Sequence, residues 1–147
     1  MKRAVMAAAF LAATVGGAYA DGAAVFDASC AFCHQAGGVG VPGQFPRLAG
    51  RVGAIAAKPE GKKFLPQVVL NGMSGRITVD GEQILGIMPA FASLSDEDIA
   101  SVLSYLTGLD HAAVPFTADE IKAIRAQPAP ADMMAERARL SAAKIVP

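Results

Sequence analysis

The chain has 147 residues, with 13 basic and 13 acidic side chains, so its formal net charge is zero. That balance, with no run of like charge, argues against a nucleic-acid partner and against an electrostatic membrane surface. Cysteine and histidine are scarce, two of each, and there is no tryptophan.

Met1-Lys2-Arg3, an apolar run from Ala4 to Val15 and the A-x-A triplet Ala18-Tyr19-Ala20 form the pattern of a secretory signal peptide. The run is shorter than the ~20 apolar residues that span a bilayer, and no other stretch approaches that length. Residues 1–20 are therefore expected to be cleaved. The mature chain would begin at Asp21, with 11 basic against 13 acidic residues and no membrane insertion. No cysteine follows the cleavage site, so a lipoprotein is not expected. What remains has the length of one domain.

Residues 21–33 read as a helix, with Val25, Phe26, Ser29 and Cys30 near one face. It runs into Cys30-Ala31-Phe32-Cys33-His34, which holds both cysteines and one of the two histidines. C-x-x-C-H is the attachment sequence of a c-type haem. Two thiols at this spacing can bond to both vinyl groups of one haem, and the adjacent imidazole then serves as an axial ligand of the iron. A thioredoxin-like dithiol would follow a strand, and a zinc site would need further ligands. A plain disulfide leaves His34 unexplained. Covalent haem and an export signal together point to a bacterial periplasm.

Residues 35–50 contain five glycines and two prolines and read as a loop. As an iron ligand His34 needs an acceptor for its Nδ1–H. The Pro46 carbonyl, within the loop's reach, is the candidate, and Leu48 is a candidate wall of the haem pocket. A short helix is expected over 64–71, with Pro66 in its first turn and Asn71-Gly72 at its end. Asp80-Gly81 between the short runs of 77–84 predicts a hairpin.

Candidates for the sixth ligand are Met73, Met88, Met133, Met134 and His111. Met88 precedes Pro89, which disfavours helical geometry and holds it extended in a loop. Met73 reads as pocket wall. A His/Met pair suits electron transfer, whereas an open position would favour catalysis or gas binding. Ser95 then caps a helix with Ile99, Val102, Leu103 and Leu106 on one stripe and Gly108 at its end. Thr117 caps a helix at 118–126. Pro128-Ala129-Pro130 separates it from a last helix, 131–143, with Met133, Met134, Arg137 and Leu140 roughly along one face. That face packs on the protein's own body or docks a partner.

Four segments in order carry a resemblance: Cys30-Ala31-Phe32-Cys33-His34, Phe45-Pro46-Arg47-Leu48-Ala49-Gly50, Met88-Pro89-Ala90-Phe91 and Leu94-Ser95-Asp96-Glu97-Asp98-Ile99-Ala100. Over residues 21–109 the chain resembles the class I c-type cytochromes, single-haem proteins found beside bacterial periplasmic dehydrogenases and oxidases. The resemblance implies an all-α fold, a cytochrome c fold wrapped around one covalent haem c. The predicted hairpin would be a small insertion in it, covering one haem edge. It implies that the first and last core helices cross, with Gly22 and Phe26 against Val102 and Tyr105. It implies that Cys30 and Cys33 hold the haem, His34 is the proximal ligand and Met88 the distal one. Phe45 stands where the family often has glycine. Residues 110–147 form a C-terminal helical extension outside this pattern. The function implied is electron transfer with a dehydrogenase or oxidase, as a free carrier or a bound subunit, and not an enzyme of its own.

Overall fold

The computed structural model describes residues 21–109, 111 and 113–147, and the expected signal peptide at 1–20 lies outside them. The described chain is mostly helical with one antiparallel hairpin. Helix α1 spans Gly22–Ser29 and is capped by the Asp21 carboxylate, which accepts from the Ala23 amide at 3.0 Å. The expected single helix over 21–33 is instead two: the chain turns at Cys30 and resumes as α2, Ala31–His34. A short helical turn follows at Ala36–Gly38.

Helix α3 spans Val52–Ala56 and α4 spans Pro59–Asn71. The second is longer than the 64–71 expected, because Pro59 rather than Pro66 occupies its first turn, where a missing N–H costs nothing. Pro66 lies buried inside the helix. Strands β1 (Met73–Val79) and β2 (Glu82–Met88) pair in register Met73 with Met88 and Ile77 with Ile84. Asp80 and Gly81 form the two-residue turn with the positive φ it demands, +53° and +83°. The hairpin thus exceeds the 77–84 expected, and Met88 ends a strand rather than sitting in a loop.

Helix α5 (Asp96–Gly108) is capped by Ser95, whose Oγ accepts from the Asp98 amide at 3.0 Å. It crosses α1 closely. A Cβ on Gly22 would meet the Ser101 carbonyl oxygen and stand 2.8 Å from Tyr105 Cβ, so only glycine lets the two backbones approach. The Phe26 and Tyr105 rings lie 5.6 Å apart beside this crossing, and Phe26 is fully buried. Burying such a ring contributes about 3 kcal/mol.

Helix α6 (Ala118–Arg125) begins with a complete capping box, Thr117 and Glu120 each accepting from the other's amide. Helix α7 (Met133–Ala142) is capped by Asp132. Ile121, Leu140 and Val146 belong to one hydrophobic core with Phe26, Ile99 and Leu103. No helix among the described residues is long and apolar enough to cross a membrane.

Candidate functional site

Crossing α1 over α5 fixes the platform from which Cys30, Cys33 and His34 project. His34 is buried and its Nδ1 lies 2.9 Å from the Pro46 carbonyl oxygen. The carbonyl can only accept, so Nδ1 carries the proton and Nε2 keeps its lone pair. Burial pushes the His34 imidazole below its ordinary pKa, against the Pro46 bond, which favours the charged form. The ring is therefore neutral near pH 7, as iron ligation requires. Cys30 and Cys33 are half-buried, and burial, with Cys33 beside it, raises the Cys30 thiol.

The loop that brings Pro46 back is folded by its glycines. Gly40 has φ +70°, and a Cβ there would stand 2.6 Å from the Phe45 carbonyl oxygen and from the Arg47 amide. Its amide donates to the His34 carbonyl at 2.8 Å, and Val41 pairs with Phe45 in an isolated bridge. The Leu48 amide donates to the Gly38 carbonyl at 2.8 Å, and its side chain packs on the hydrophobic core.

Cys30, Cys33, His34, Phe45 and Pro46 line one part of an open cavity of about 750 Å³, its mouth included. The inward face of the hairpin lines another part, with Met73, Gly75 and Ile77 on β1 and Ile84, Gly86 and Met88 on β2. Met73 and Met88 are directly opposed partners in the ladder, so both thioethers belong to the same face. Met134 reaches the cavity from α7. Met133 packs on the core, His111 is exposed, and neither lines the cavity. Of the five sixth-ligand candidates, Met73, Met88 and Met134 thus share a cavity with His34.

Three contacts pin Met88. The Phe91 amide donates to the Val69 carbonyl at 2.8 Å, the ladder ends on the Met73–Met88 pair, and Gly72 lies against the 88–90 backbone. At Gly72, φ is +69° and a Cβ would stand 2.5 Å from the Met88 carbonyl oxygen.

The donor set fits a covalently held haem. Two thiols and a neutral imidazole come from one short segment, thioethers come from another element, and the walls between them are apolar. Among the described residues no group of three or more His, Cys, Asp or Glu could hold a metal ion, so the zinc reading of C-x-x-C lacks its further ligands. The motif follows a helix, and the sheet among the described residues is a single hairpin, which removes the thioredoxin reading.

Four basic residues, Arg47, Arg51, Lys62 and Arg76, pair with protein groups. Arg47 Nε and Nη2 donate to the two Asp80 oxygens at 3.0 and 3.1 Å, and Arg51 Nη1 is 3.5 Å from the same carboxylate. Lys62 pairs with Glu120 at 2.6 Å and Arg76 donates to Gln83. The Arg47 bond, more than any other contact, holds the Asp80 carboxyl below its usual pKa.

Residues 17–106 match the family described as Cytochrome C oxidase, cbb3-type, subunit III. The chain is similar to a cytochrome c-552 of Thermus thermophilus, 45% identical over 150 residues, covering 95% of this chain and 98% of that protein. A second Thermus thermophilus cytochrome c-552 is also 45% identical, over 82% of this chain and 97% of its own. The fructose dehydrogenase cytochrome subunit of Gluconobacter japonicus is 36% identical over 72% of this chain but only 22% of its own greater length.

Proposed function

The chain belongs to the class I c-type cytochromes and carries covalently bound haem c with its iron, and from that premise we propose that it is a periplasmic electron carrier with His34 and Met88 as axial ligands. The haem supplies one-electron Fe(III)/Fe(II) chemistry. Cys30 and Cys33 anchor it. Pro46 fixes the plane and tautomer of the His34 ring, so that Nε2 is presented without rearrangement. Ile77, Ile84 and Phe91 keep the site apolar. Both ligands stand on segments pinned by backbone hydrogen bonds, so little reorganisation accompanies a change of charge.

One observation carries this reading: a neutral, carbonyl-anchored imidazole and the Met73–Met88 pair share one apolar cavity. With both axial positions filled, no site for a substrate on the iron is needed, and the protein is a carrier rather than an enzyme. Met88 is favoured over Met73 because Pro89 and the close approach of Gly72 hold its backbone. Met88→Ala should abolish the methionine-to-ferric-haem charge-transfer band. If the band persists, another thioether of the cavity, Met73 or Met134, is the ligand.

The partner is a redox enzyme, a dehydrogenase or an oxidase. A second reading, a cytochrome subunit held tightly by a dehydrogenase, draws support from the named subunit among the relatives. The last helix does not favour it, because Leu140 is fully buried and Met134 faces the cavity, which turns the apolar side of α7 inward. Export by the signal at residues 1–20 places the carrier in the periplasm in this proposal. Cell fractionation beside the N-terminal sequence of the purified protein tests it, and a cytoplasmic protein retaining Met1 would refute it.

A further inference from the structure

The inward face of the hairpin has a gap at its centre. Gly75 and Gly86 are ladder partners there, between the Met73–Met88 and Ile77–Ile84 pairs. Nothing stands within 4 Å of a Cβ built on Gly86. A Cβ built on Gly75 would meet Met134 Cε and Cγ at 3.3 Å and Sδ at 3.4 Å. The Met134 side chain therefore occupies the space over Gly75, inside the same cavity as His34 and Met88.

Helix α7 holds Met134 there without help from the cavity. Asp132 caps the helix, accepting from the Met134 amide at 2.8 Å. Leu140 anchors it in the core, and Arg137 donates to the Thr78 carbonyl on β1 at 3.3 Å. The Pro147 carbonyl oxygen accepts from Arg51 at 2.9 Å. Helix α7 and Pro147 lie beyond residue 106, where the family match ends.

We propose that the C-terminal extension completes the haem site, with Met134 as a positioning residue that screens the methionine-ligand side from water and holds the reduction potential up. An oxidised haem carries one more positive charge than a reduced one. Water admitted beside it favours the oxidised state, and an apolar wall favours the reduced state. An unbranched thioether suits the irregular space over Gly75. The inference rests on the proposed His34/Met88 site and extends it to a segment with no ligand of its own.

The test is the equilibrium potential of purified holoprotein carrying Met134→Ala, Met134→Gln or Met134→Leu, with imidazole binding to the ferric form as a second readout. The Ala and Gln variants should raise the ferric-to-ferrous ratio at fixed ambient potential by about fivefold, on a scale where tenfold is about 59 mV for one electron. They should also admit imidazole faster. Leu should stay within about twofold of wild type, since it restores an apolar wall. Ala and Gln variants that melt earlier but keep the wild-type potential and imidazole kinetics would overturn the proposal, leaving Met134 a purely structural pin of α7. If wild type itself lacks the methionine charge-transfer band, the axial-ligand reading falls and the proposal with it, a result distinct from unmoved variants.

Discussion

Gly72→Ala should weaken the fold and loosen Met88 together. Its φ of +69° and ψ of −175° lie where only glycine is at ease, and forcing alanine into such a region costs about 1–3 kcal/mol. The new Cβ would stand 2.5 Å from the Met88 carbonyl oxygen, 2.8 Å from the Ala90 amide nitrogen and 2.9 Å from the Pro89 carbonyl carbon. Those atoms are backbone, so the 88–90 segment must retreat by roughly 1 Å to reach ordinary contact. Overpacking of this kind adds about 1–3 kcal/mol. A total of about 4 kcal/mol corresponds to a melting temperature lower by roughly 15 °C for a domain of this size. The methionine charge-transfer band of the ferric holoprotein should weaken in parallel, because the ligand's backbone has moved. Gly81→Ala is the control. Its φ is +83° but nothing lies within 4 Å of the added Cβ. It should cost only the strain, about 1–2 kcal/mol, and leave the band intact. A Gly72→Ala protein with wild-type melting and an unchanged band would refute this account of how Met88 is placed.

Gly22→Ala drives a Cβ onto the Ser101 carbonyl oxygen at the α1–α5 crossing and should cost about 1–3 kcal/mol. Urea titration should show a lower midpoint at unchanged slope, and an unchanged midpoint would contradict the close crossing. Asp80 carries a pH dependence of definite sign. Its folded pKa lies below the unfolded value of about 3.9, so its contribution is full above that value and is lost as pH falls through the folded one. Asp80→Asn should flatten the loss of melting temperature in acid, and a variant with the wild-type slope would contradict the Arg47–Asp80 pairing.

Much of the site is legible in local sequence. C-x-x-C-H names three donors by spacing alone. The Ser95 cap places α5, and the Pro46 carbonyl is within reach of His34 because a short glycine-rich return leaves few other acceptors. The misjudged elements share a different origin. Pro66 looks like a helix start, yet the start is Pro59, and Gly61 interrupts the apolar pattern because a Cβ there would strike the Ile55 carbonyl oxygen on α3. The hairpin reads short because Gly75 and Gly86 break its alternation; Gly75 has a φ of +143° and lies under the Met134 side chain, and both glycines line the cavity. Met134 shows nothing locally that separates it from Met133. Only the docking of α7 on β1 sorts one methionine into the cavity and the other onto the core.

Exposure of the reduced holoprotein to carbon monoxide tests the central claim most directly. With His34 and Met88 both on the iron, the ferrous spectrum should stay unchanged at neutral pH. Prompt and stoichiometric formation of a carbonyl complex would show an open sixth position and contradict the assignment of an electron carrier.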